Sequence, residues 1–425
     1  MNRRRFLLNL SALPAVNIVG GLAHHISPTK SLADADLDPI NTASMWIYLW
    51  DLVDEGYEFV LRRLQENGIT SISLACAYHG GKFLLPHNPK RKVIFVEDGS
   101  VYFHPNPKLY GAITPRVSSL VREGHNLKKT MEHAHNAGVE VRAWVVCCHN
   151  TALGMEYPGA ACQTVFGDKL YHNLCPSNPD VRTYIRALVK DIASHGVPVV
   201  ELEALGFQPY THGFHHEREG IEINNAIRFL LGICFCDSCV RRASGARGEI
   251  DSVRQFTKFT LESYFENPHT SAERYADISS LPNEIFDPFF QWRSSVITSF
   301  VEELAEEVKN TNVQLRPLVS IDPSLRTQLG IDAARIALLT GGILVPAYAR
   351  DGSALLQSLS LIQSLVGENE IIVGVQVGLP GSGGKKEFRE RVRTAREMGI
   401  SRFNFYNYGF IPYESLGWIK ESVTG

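Results

Sequence analysis

The sequence predicts an α/β fold, a (β/α)8 TIM barrel with long insertions after the second and fourth strands. Three observations carry this prediction. From residue 44 onward, short apolar runs alternate with segments of helical periodicity. Several helical segments end in glycine just before the next apolar run, as at Ala137-Gly138 and His195-Gly196, because glycine accepts the left-handed conformation that closes a helix. The unit occurs eight times, which is the number of strands in this barrel.

The apolar runs are rich in Val, Ile, Leu and Tyr and have no consistent polar face, as expected for strands buried on both sides. In chain order they are Met45–Asp51, Ser71–Ala77, Glu140–Cys147, Pro198–Ala204, Val313–Ser320, Gly342–Ala347, Ile371–Gly378 and Arg402–Tyr408. The predicted helices are Asp54–Asn67, Ser118–Ala137, Val181–His195, Phe289–Asn310, Ser353–Val366 and Lys385–Met398. The alternative is an open doubly wound sheet, but the residues after the first strand lack its Gly-rich turn.

The chain is longer than a barrel requires. A barrel takes about 250 residues, whereas roughly 390 of the 425 residues follow position 35. The surplus lies in His79–Pro115, after the second strand, and in Leu205–Asn310, after the fourth. Both segments follow the carboxyl end of a strand, where barrel loops build the active site. No linker separates a second domain, so residues 40–425 are predicted to form one barrel domain.

Composition restricts the classes of function. The chain is 44% hydrophobic and 20% charged, with a formal charge of −3, which is typical of a globular protein. It lacks the excess of basic residues that nucleic-acid-binding proteins use, so no nucleic-acid partner is expected. No run of 18 apolar residues follows residue 25, so no membrane-spanning helix is expected beyond the N-terminal segment.

The first 35 residues are typical of an export signal. The run Arg3–Leu7, with the sequence RRRFL, precedes a weakly apolar segment and resembles the twin-arginine signal R-R-x-F-L. Small residues at positions 31–35 suit cleavage by signal peptidase. The pattern predicts a periplasmic or secreted protein, with a membrane anchor or an amphipathic tail as the alternative.

The fourth strand carries the predicted catalytic residues Glu203 and Glu201. Side chains alternate along a strand, so both carboxylates face the same side, which the apolar neighbours indicate is the barrel interior. Two such carboxylates disfavour each other's charge, and a raised pKa suits a general acid. Glu203 is nearer the carboxyl end and is the predicted acid. Glu201 is deeper, with a structural role beside Arg142, Arg316 or another buried donor as the alternative.

Aromatic, amide and histidine side chains concentrate at the predicted strand ends. Sugar rings stack on aromatic faces, and amides and imidazoles bind hydroxyls, so this set favours a carbohydrate ligand. The predicted substrate-binding residues are Trp50, Tyr78, His79, Trp144, His212, His215, His216, Glu217, Tyr348, Gln376, Asn404 and Tyr406. The run His212–Glu217 could instead hold a metal, although its spacing is not H-E-x-x-H.

Hydrolysis of a glycoside needs a second carboxylate across the sugar. Asp322, after the fifth strand, is the predicted base or nucleophile, and Asp351 and Asp51 at other strand ends are the alternatives. Asp322 could equally cap the turn that begins at Pro323. The seventh strand has no acid over Val373–Leu379.

Closely spaced cysteines predict a structural zinc site. Cys234, Cys236 and Cys239 form C-x-C-x-x-C, and a closed zinc site takes four such ligands. Cys175, after the third strand, is the predicted fourth ligand, with Cys162 as the alternative. The other interpretation is a disulfide with free thiols, since an exported protein meets an oxidising compartment.

These motifs resemble those of a known group of proteins. A Cys before the fourth strand, a Glu that ends it and C-x-C-x-x-C resemble the zinc-clustered trimeric β-galactosidases. They resemble more closely hypothetical glycoside-hydrolase-like barrels of bacteria, in which C-P-x-N-P precedes a helix, as in Cys175–Pro179. Two further segments also resemble that group, Tyr78–Arg91 and His212–Glu217. The resemblance therefore covers about residues 78 to 239.

The resemblance implies an acid/base role for Glu203 and zinc for the four cysteines. The seventh strand departs from it, because it lacks the acid that is the nucleophile of those β-galactosidases. The sequence thus predicts an exported glycoside hydrolase-like enzyme that uses carboxylate acid/base catalysis on a carbohydrate. The alternatives are a non-catalytic carbohydrate-binding barrel and a metal-dependent hydrolase or isomerase that uses His79 and the His212–Glu217 run.

Overall fold

The computed structural model describes residues 39–211, 217–244, 250–268, 275–348 and 352–423. The proposed export signal, residues 1–35, lies outside this part of the chain, so export stays a prediction. His212, His215 and His216 also lie outside it, as does Asp351.

Eight parallel strands form the centre of the fold. They are β1 Thr42–Ile47, β2 Ser71–Tyr78, β3 Glu140–Val146, β4 Val199–Glu203, β5 Gln314–Pro317, β6 Gly342–Pro346, β7 Glu370–Gln376 and β8 Arg402–Tyr406. Strands that are neighbours along the chain lie side by side, and β8 pairs with β1. β5 and β6 meet at a bridge between Leu318 and Leu344, where the Val319 amide donates to the Leu344 carbonyl at 2.8 Å. The predicted (β/α)8 barrel is confirmed.

Helices surround the strands. They are Leu49–Glu55, Tyr57–Glu66, Ser119–Arg122, Leu127–Ala137, Thr151–Glu156, Pro179–Ser194, Asn225–Gly232, Asp237–Ser244, Ile250–Glu266, Asn283–Val308, Pro323–Leu329, Ala333–Thr340, Gly352–Val366, Lys385–Glu397 and Tyr413–Val423, with 3-10 turns at Pro107–Leu109, Pro158–Ala160, Ile278–Ser280 and Tyr408–Phe410. The first two predicted helices are each divided at a glycine with positive φ, Gly56 at 96° and Gly124 at 89°. Among the described residues, no helix is both long and apolar enough to cross a bilayer.

The first strand ends earlier than predicted. β1 stops at Ile47, and a helix begins at Leu49. The Asp51 carboxylate accepts a hydrogen bond from the Tyr48 amide at 3.1 Å, which holds the start of this helix. The strand and the first turn of the helix are both buried, so together they form one apolar run in the sequence. In so short a run, periodicity does not show where the strand ends and the helix begins.

Three insertions follow strand carboxyl ends. Those after β2 and β4 are where the sequence predicts them, and the third follows β3. The insertion after β2 contains two strand pairs, Gly81–Leu84 with Val93–Val96 and Ser100–Val101 with Arg116–Val117. The insertion after β3 contains the pair Ala161–Gln163 with Lys169–Leu174. The Gly81–Leu84 pair is an antiparallel hairpin, and so is the pair after β3. All three insertions therefore lie at the end of the barrel where catalytic loops gather.

Candidate active site

A buried polar layer crosses the barrel interior at Glu201. Its carboxylate accepts hydrogen bonds from Ser73 Oγ at 2.6 Å, Asn404 Nδ2 at 2.9 Å and Trp46 Nε1 at 2.9 Å. Ser44 adds a contact of 3.1 Å to the Ser73 hydroxyl. These donors come from β1, β2 and β8, so the barrel itself satisfies the buried carboxylate.

Glu201 is enclosed by the barrel interior. It is 0% exposed, and its hydrogen bonds come from Ser73, Asn404 and Trp46 rather than from the two arginines named as possible donors. Arg142 pairs with Glu140 at 2.8 Å, and Arg316 pairs with Glu370 at 3.1 Å. Burial raises the pKa of Glu201 to about 7, although its hydrogen bonds and the charge of Arg142 oppose that rise. We therefore assign Glu201 to the barrel interior.

We expect Glu201→Gln to remove a pH dependence of stability. A carboxyl whose pKa rises from 4.5 to about 7 holds its proton more tightly in the folded chain, so stability falls as pH increases through this window. The loss reaches up to about 3 kcal/mol at neutral pH. Denaturant unfolding from about pH 4.5 to about pH 7.5 should show this decline in wild type and a flatter curve in the variant. Parallel curves would contradict it.

Glu203 lies two residues further along β4 and opens onto a cavity of about 290 Å³. Trp144 Nε1, on β3, donates to Glu203 Oε2 at 2.6 Å, which leaves Oε1 for a bound molecule. Burial raises the pKa of Glu203, and the hydrogen bond from Trp144 opposes the rise. The next residue, Ala204, has φ of 54°, a left-handed conformation that non-glycine residues rarely adopt. The chain thus turns sharply just after a carboxyl suited to proton donation.

Other strand ends supply the walls of this cavity. His79 follows β2, His149 follows β3 and Tyr348 follows β6. The rings of His79 and His149 meet edge to face, with centroids 4.6 Å apart. Tyr348 is 42% exposed, and its ring centroid lies 6.1 Å from that of Tyr406. The cavity combines hydroxyl-binding groups with apolar surface, a combination that suits a small polar ligand with apolar faces.

An aromatic cluster supports the cavity wall. The Tyr48 hydroxyl donates to the Tyr78 hydroxyl at 2.9 Å, and the Trp144 ring lies 5.0 Å from Tyr78 and 5.5 Å from Tyr48. Burial raises the pKa of both tyrosines, so their hydroxyls stay protonated at neutral pH. Tyr48 and His149 were not predicted as site residues. Tyr48 directly follows β1, and His149 lies three positions beyond β3. Both positions are a signal that depends on an accurate strand boundary.

Two predicted substrate-binding residues are buried away from the cavity. Trp50 is 2% exposed and stacks on Tyr48, with centroids 4.3 Å apart. Asn404 is fully buried and binds Glu201. Trp50 was placed at a strand end, but it lies in the helix that follows β1. Asn404 lies in the middle of β8, where interior side chains contact one another rather than a ligand.

Three further predicted substrate-binding residues are partly or fully exposed. Gln376 and Tyr406 are partners at the ends of β7 and β8, and both are partly exposed. Glu217 is exposed and is the described member of the His212–Glu217 run. None of these three lines the cavity beside Glu203.

Asp322 lies at a helix N-terminus. It is exposed, and its Oδ1 accepts a hydrogen bond from the Ser324 amide at 2.9 Å, which caps the helix Pro323–Leu329. These contacts match the capping alternative. Among the described residues that line the cavity, Glu203 is the one carboxylate.

Four buried cysteines form a cluster beside the cavity wall. The sulfurs of Cys175, Cys234, Cys236 and Cys239 lie within 4.8 Å of one another. Those of Cys239, Cys236 and Cys234 are 3.4, 3.5 and 3.8 Å from that of Cys175. A disulfide would bring two sulfurs to about 2.05 Å, whereas tetrahedral zinc separates its thiolates by about 3.8 Å. The donor set therefore fits a structural metal, and the predicted fourth ligand is in place.

A buried arginine lies near the cluster. Arg293 is 2% exposed, and burial lowers the pKa of its guanidinium to about 10. A buried cation of this kind needs a compensating anion, and four thiolates around a divalent metal supply a net negative charge.

Backbone contacts join this cluster to the cavity wall. The Gln163 amide donates to Cys234 Sγ at 3.4 Å. Within the insertion after β3, the Leu174 amide donates to the Cys148 carbonyl at 2.8 Å, and the Asn150 amide donates to the His172 carbonyl at 3.0 Å. His149, which lines the cavity, lies between these two bonds. The cysteine cluster thus anchors the segment that presents His149.

Comparison with known proteins establishes the fold. The chain resembles the β-galactosidase of Marinomonas ef1, with 9% identity, 90% of this chain and 59% of that chain covered, and a TM-score of 0.56. The β-galactosidase of Halorubrum lacusprofundi has 10% identity and a TM-score of 0.54, with 90% of this chain and 58% of that chain covered. The β-galactosidase of Rahnella sp. R3 has 11% identity and a TM-score of 0.52, with 92% of this chain and 56% of that chain covered.

The chain therefore spans 56–59% of the length of these three enzymes. No protein-family model matches the sequence, and no curated protein matches it. At such low identity the likeness shows a shared barrel fold, and the chemistry must be argued from the site.

Proposed function

We propose that the protein is a glycoside hydrolase and that Glu203 is its general acid. The observation that carries this proposal is the Glu203 carboxyl, which faces a ligand-sized cavity at the carboxyl ends of the strands and whose pKa burial raises. Three β-galactosidases have the same barrel, which supports a carbohydrate substrate. The substrate would lie against Tyr348 and the two cavity histidines.

The geometry around Glu203 supports proton donation from one particular oxygen. Trp144 holds Oε2, so Oε1 carries the proton toward the glycosidic oxygen. As the bond to the leaving group breaks, that proton passes to the departing hydroxyl and Glu203 becomes a carboxylate. The Trp144 N–H then stabilises the new negative charge. Water then forms a bond to the anomeric carbon and gives up its proton to the Glu203 carboxylate, which completes hydrolysis and restores the acid.

A non-catalytic carbohydrate-binding barrel is the second candidate. It is favoured by one observation: the described cavity lining contains no carboxylate besides Glu203, whereas double displacement needs two. Among the described residues, the cysteine cluster is the one group of three or more His, Cys, Asp or Glu side chains that could hold a metal. The metal-dependent alternative depends on His212, His215 and His216, which lie outside the described residues, so it stays a prediction.

A structural zinc ion is part of the proposal. Cys175, Cys234, Cys236 and Cys239 would hold it, and bound zinc would contribute to the folding free energy of the insertions after β3 and β4. The chemistry at Glu203 takes no step through this metal.

The experiment that tests the function is a screen of purified protein against aryl glycosides and natural oligosaccharides, with binding measured on a glycan array in parallel. Turnover of a bound glycan supports the hydrolase. Binding without turnover of any hit supports the second candidate, and the absence of both would refute a carbohydrate function.

We expect Trp144→Phe to shift the alkaline limb of the kcat/KM profile to higher pH. Loss of its hydrogen bond removes a donor that favours the charged form of Glu203, so the pKa of the acid rises. A charge-assisted bond of about 1.5 kcal/mol corresponds to about one pH unit. Trp50→Phe, a buried aromatic change away from the cavity, should leave the limb in place. An unmoved limb in Trp144→Phe would refute the assignment.

A further inference from the structure

We propose that the hairpin Gly81–Leu84 with Val93–Val96 is a docking site for an anionic membrane surface. Three exposed apolar side chains of the hairpin, Leu84, Val93 and Phe95, would enter the interfacial region of the bilayer, and the basic residues around them would contact acidic lipid headgroups. This is attachment to one face of a membrane and not a span. It is independent of the function proposed for Glu203.

The outer face of the hairpin is apolar. Leu84 lies directly opposite Val93, and Phe95 lies directly opposite Lys82. Opposite residues, and residues two positions apart, share one face of an antiparallel pair, so these four side chains form a single patch, which we call the hairpin patch. Leu84, Val93 and Phe95 are 67%, 48% and 76% exposed. The hairpin patch therefore presents three large apolar side chains to solvent.

The inner face of the hairpin already has a partner. Phe83 lies opposite Ile94, and both pack against the core of the barrel. The ring centroid of Phe83 lies 5.8 Å from that of Tyr48 and 5.0 Å from that of Phe410. An antiparallel pair that is covered on one face usually has polar side chains on the other. A second apolar face is therefore unnecessary for folding and indicates an interaction site.

The charge of the hairpin indicates which partner it binds. Residues 81–96 contain four basic residues and no acidic one, although the whole chain has a formal charge of −3. The four are Lys82, Lys90, Arg91 and Lys92, and all are exposed. Arg91 contacts the two oxygens of Asp54 at 2.8 Å each, and Lys90 Nζ lies 3.9 Å from the same carboxylate. When the charge of Asp54 is subtracted, three of the four positive charges remain.

The nearest acidic residues in the sequence are bound elsewhere. Glu97 and Asp98 directly follow the hairpin. The Glu97 carboxylate accepts hydrogen bonds from the Ser119 amide at 2.9 and 3.1 Å, and Asp98 Oδ1 accepts one from the Gly80 amide at 2.8 Å. The hairpin patch thus lies among basic side chains.

This combination fits an anionic membrane better than other partners. Phenylalanine and leucine side chains enter the interface of a bilayer, and adjacent lysine and arginine side chains are attracted to acidic headgroups. A second copy of the chain would bring two positively charged hairpins together, and these repel each other. A nucleic acid would attract the basic residues through its phosphates, but phosphates offer no apolar surface to Leu84, Val93 and Phe95.

The hairpin is held in position before it docks. The Leu85 amide donates to the Lys92 carbonyl at 2.9 Å and closes the loop between the two strands. Asn88 Oδ1 accepts a hydrogen bond from the Arg91 amide at 3.0 Å, and Asn88 Nδ2 donates to Asp54 at 3.0 Å. These contacts fasten the loop to the helix after β1. Docking therefore does not have to order this segment, which lowers the cost of binding.

The test is co-sedimentation of the full chain with vesicles of phosphatidylcholine, either alone or with about one third phosphatidylglycerol. Wild type should bind the anionic vesicles at least about tenfold more tightly, because each lysine or arginine near an anionic surface contributes about fivefold. Phe95→Ser should weaken binding to the anionic vesicles about tenfold, since it removes a large apolar side chain from the contact. Lys82→Gln should weaken it about fivefold.

Phe259→Ser is the matched control. Phe259 is 67% exposed and lies in the helix Ile250–Glu266, outside the hairpin, so the variant should bind as wild type does. Both phenylalanines are exposed, so neither substitution should lower the unfolding temperature appreciably, and thermal unfolding of the variants checks this.

A fluorescent label locates the contact. All eight cysteines of the chain are buried, so a thiol-reactive bimane should label Phe95→Cys at the introduced thiol. Its emission should shift to shorter wavelength on anionic vesicles, whereas the label on Phe259→Cys should not shift. This measurement separates the hairpin from residues 1–35, which also contain basic and apolar side chains.

Equal affinity of wild type and Phe95→Ser for anionic vesicles would overturn the proposal. An unshifted bimane emission on bound vesicles would overturn it as well, since another segment would then make the contact. A wild-type dimer that Phe95→Ser converts to a monomer, measured by analytical ultracentrifugation without vesicles, would show instead that a second copy covers the hairpin patch.

Discussion

Glu203→Gln is expected to lower kcat by roughly 100- to 10,000-fold, the usual contribution of a positioned general acid, while glycan affinity stays within a few fold. Glutamine keeps an oxygen for the Trp144 N–H but has no acidic proton for the leaving group. The loss should be greater for a natural disaccharide than for a nitrophenyl glycoside, because an activated leaving group needs less protonation. Initial rates and calorimetric binding measure the two effects separately.

Asp322→Asn is the matched control, because asparagine caps a helix as well as aspartate does. Its carboxylate is exposed and bound to the Ser324 amide, so kcat should be unchanged. A large loss in this variant would make Asp322 the second carboxylate after all. Unchanged turnover in Glu203→Gln would remove Glu203 from the mechanism.

Cys236→Ser is expected to lose the one zinc ion per chain that wild type should carry, and to lower the free energy of unfolding by more than about 4 kcal/mol, as loss of a metal site does. Three thiolates and a hydroxyl no longer form a closed site, and the buried Arg293 loses part of its compensating charge. Zinc is measured by mass spectrometry of the purified protein, and stability by denaturant unfolding.

Cys76→Ala is the control for this experiment. Cys76 is equally buried but lies in β2, apart from the cluster, so the variant should retain its zinc. Metal-free wild type with thiols blocked as disulfides would contradict the zinc assignment. Retention of zinc by Cys236→Ser would show that another residue, such as Cys162, completes the site.

The order and approximate position of the eight strands could be predicted from the sequence, because buried parallel strands are continuous apolar runs and their helices end in glycine. The position of a carboxyl at the end of β4 and three of the four clustered cysteines could also be predicted in this way. In each case the information is local: a strand periodicity of two places Glu201 and Glu203 on one face, and C-x-C-x-x-C keeps three thiols within six residues of the chain.

Only the tertiary structure could separate residues that look alike in sequence. Glu201 and Asn404 meet in the interior, although 203 positions separate them, and β8 reaches β1 only when the barrel closes. Trp50 is buried because β1 stops before it, and His87 meets Glu55 because the insertion after β2 folds back onto the end of the helix after β1. Whether a polar side chain faces a ligand or a buried partner depends on contacts between distant segments, and no local pattern encodes those contacts.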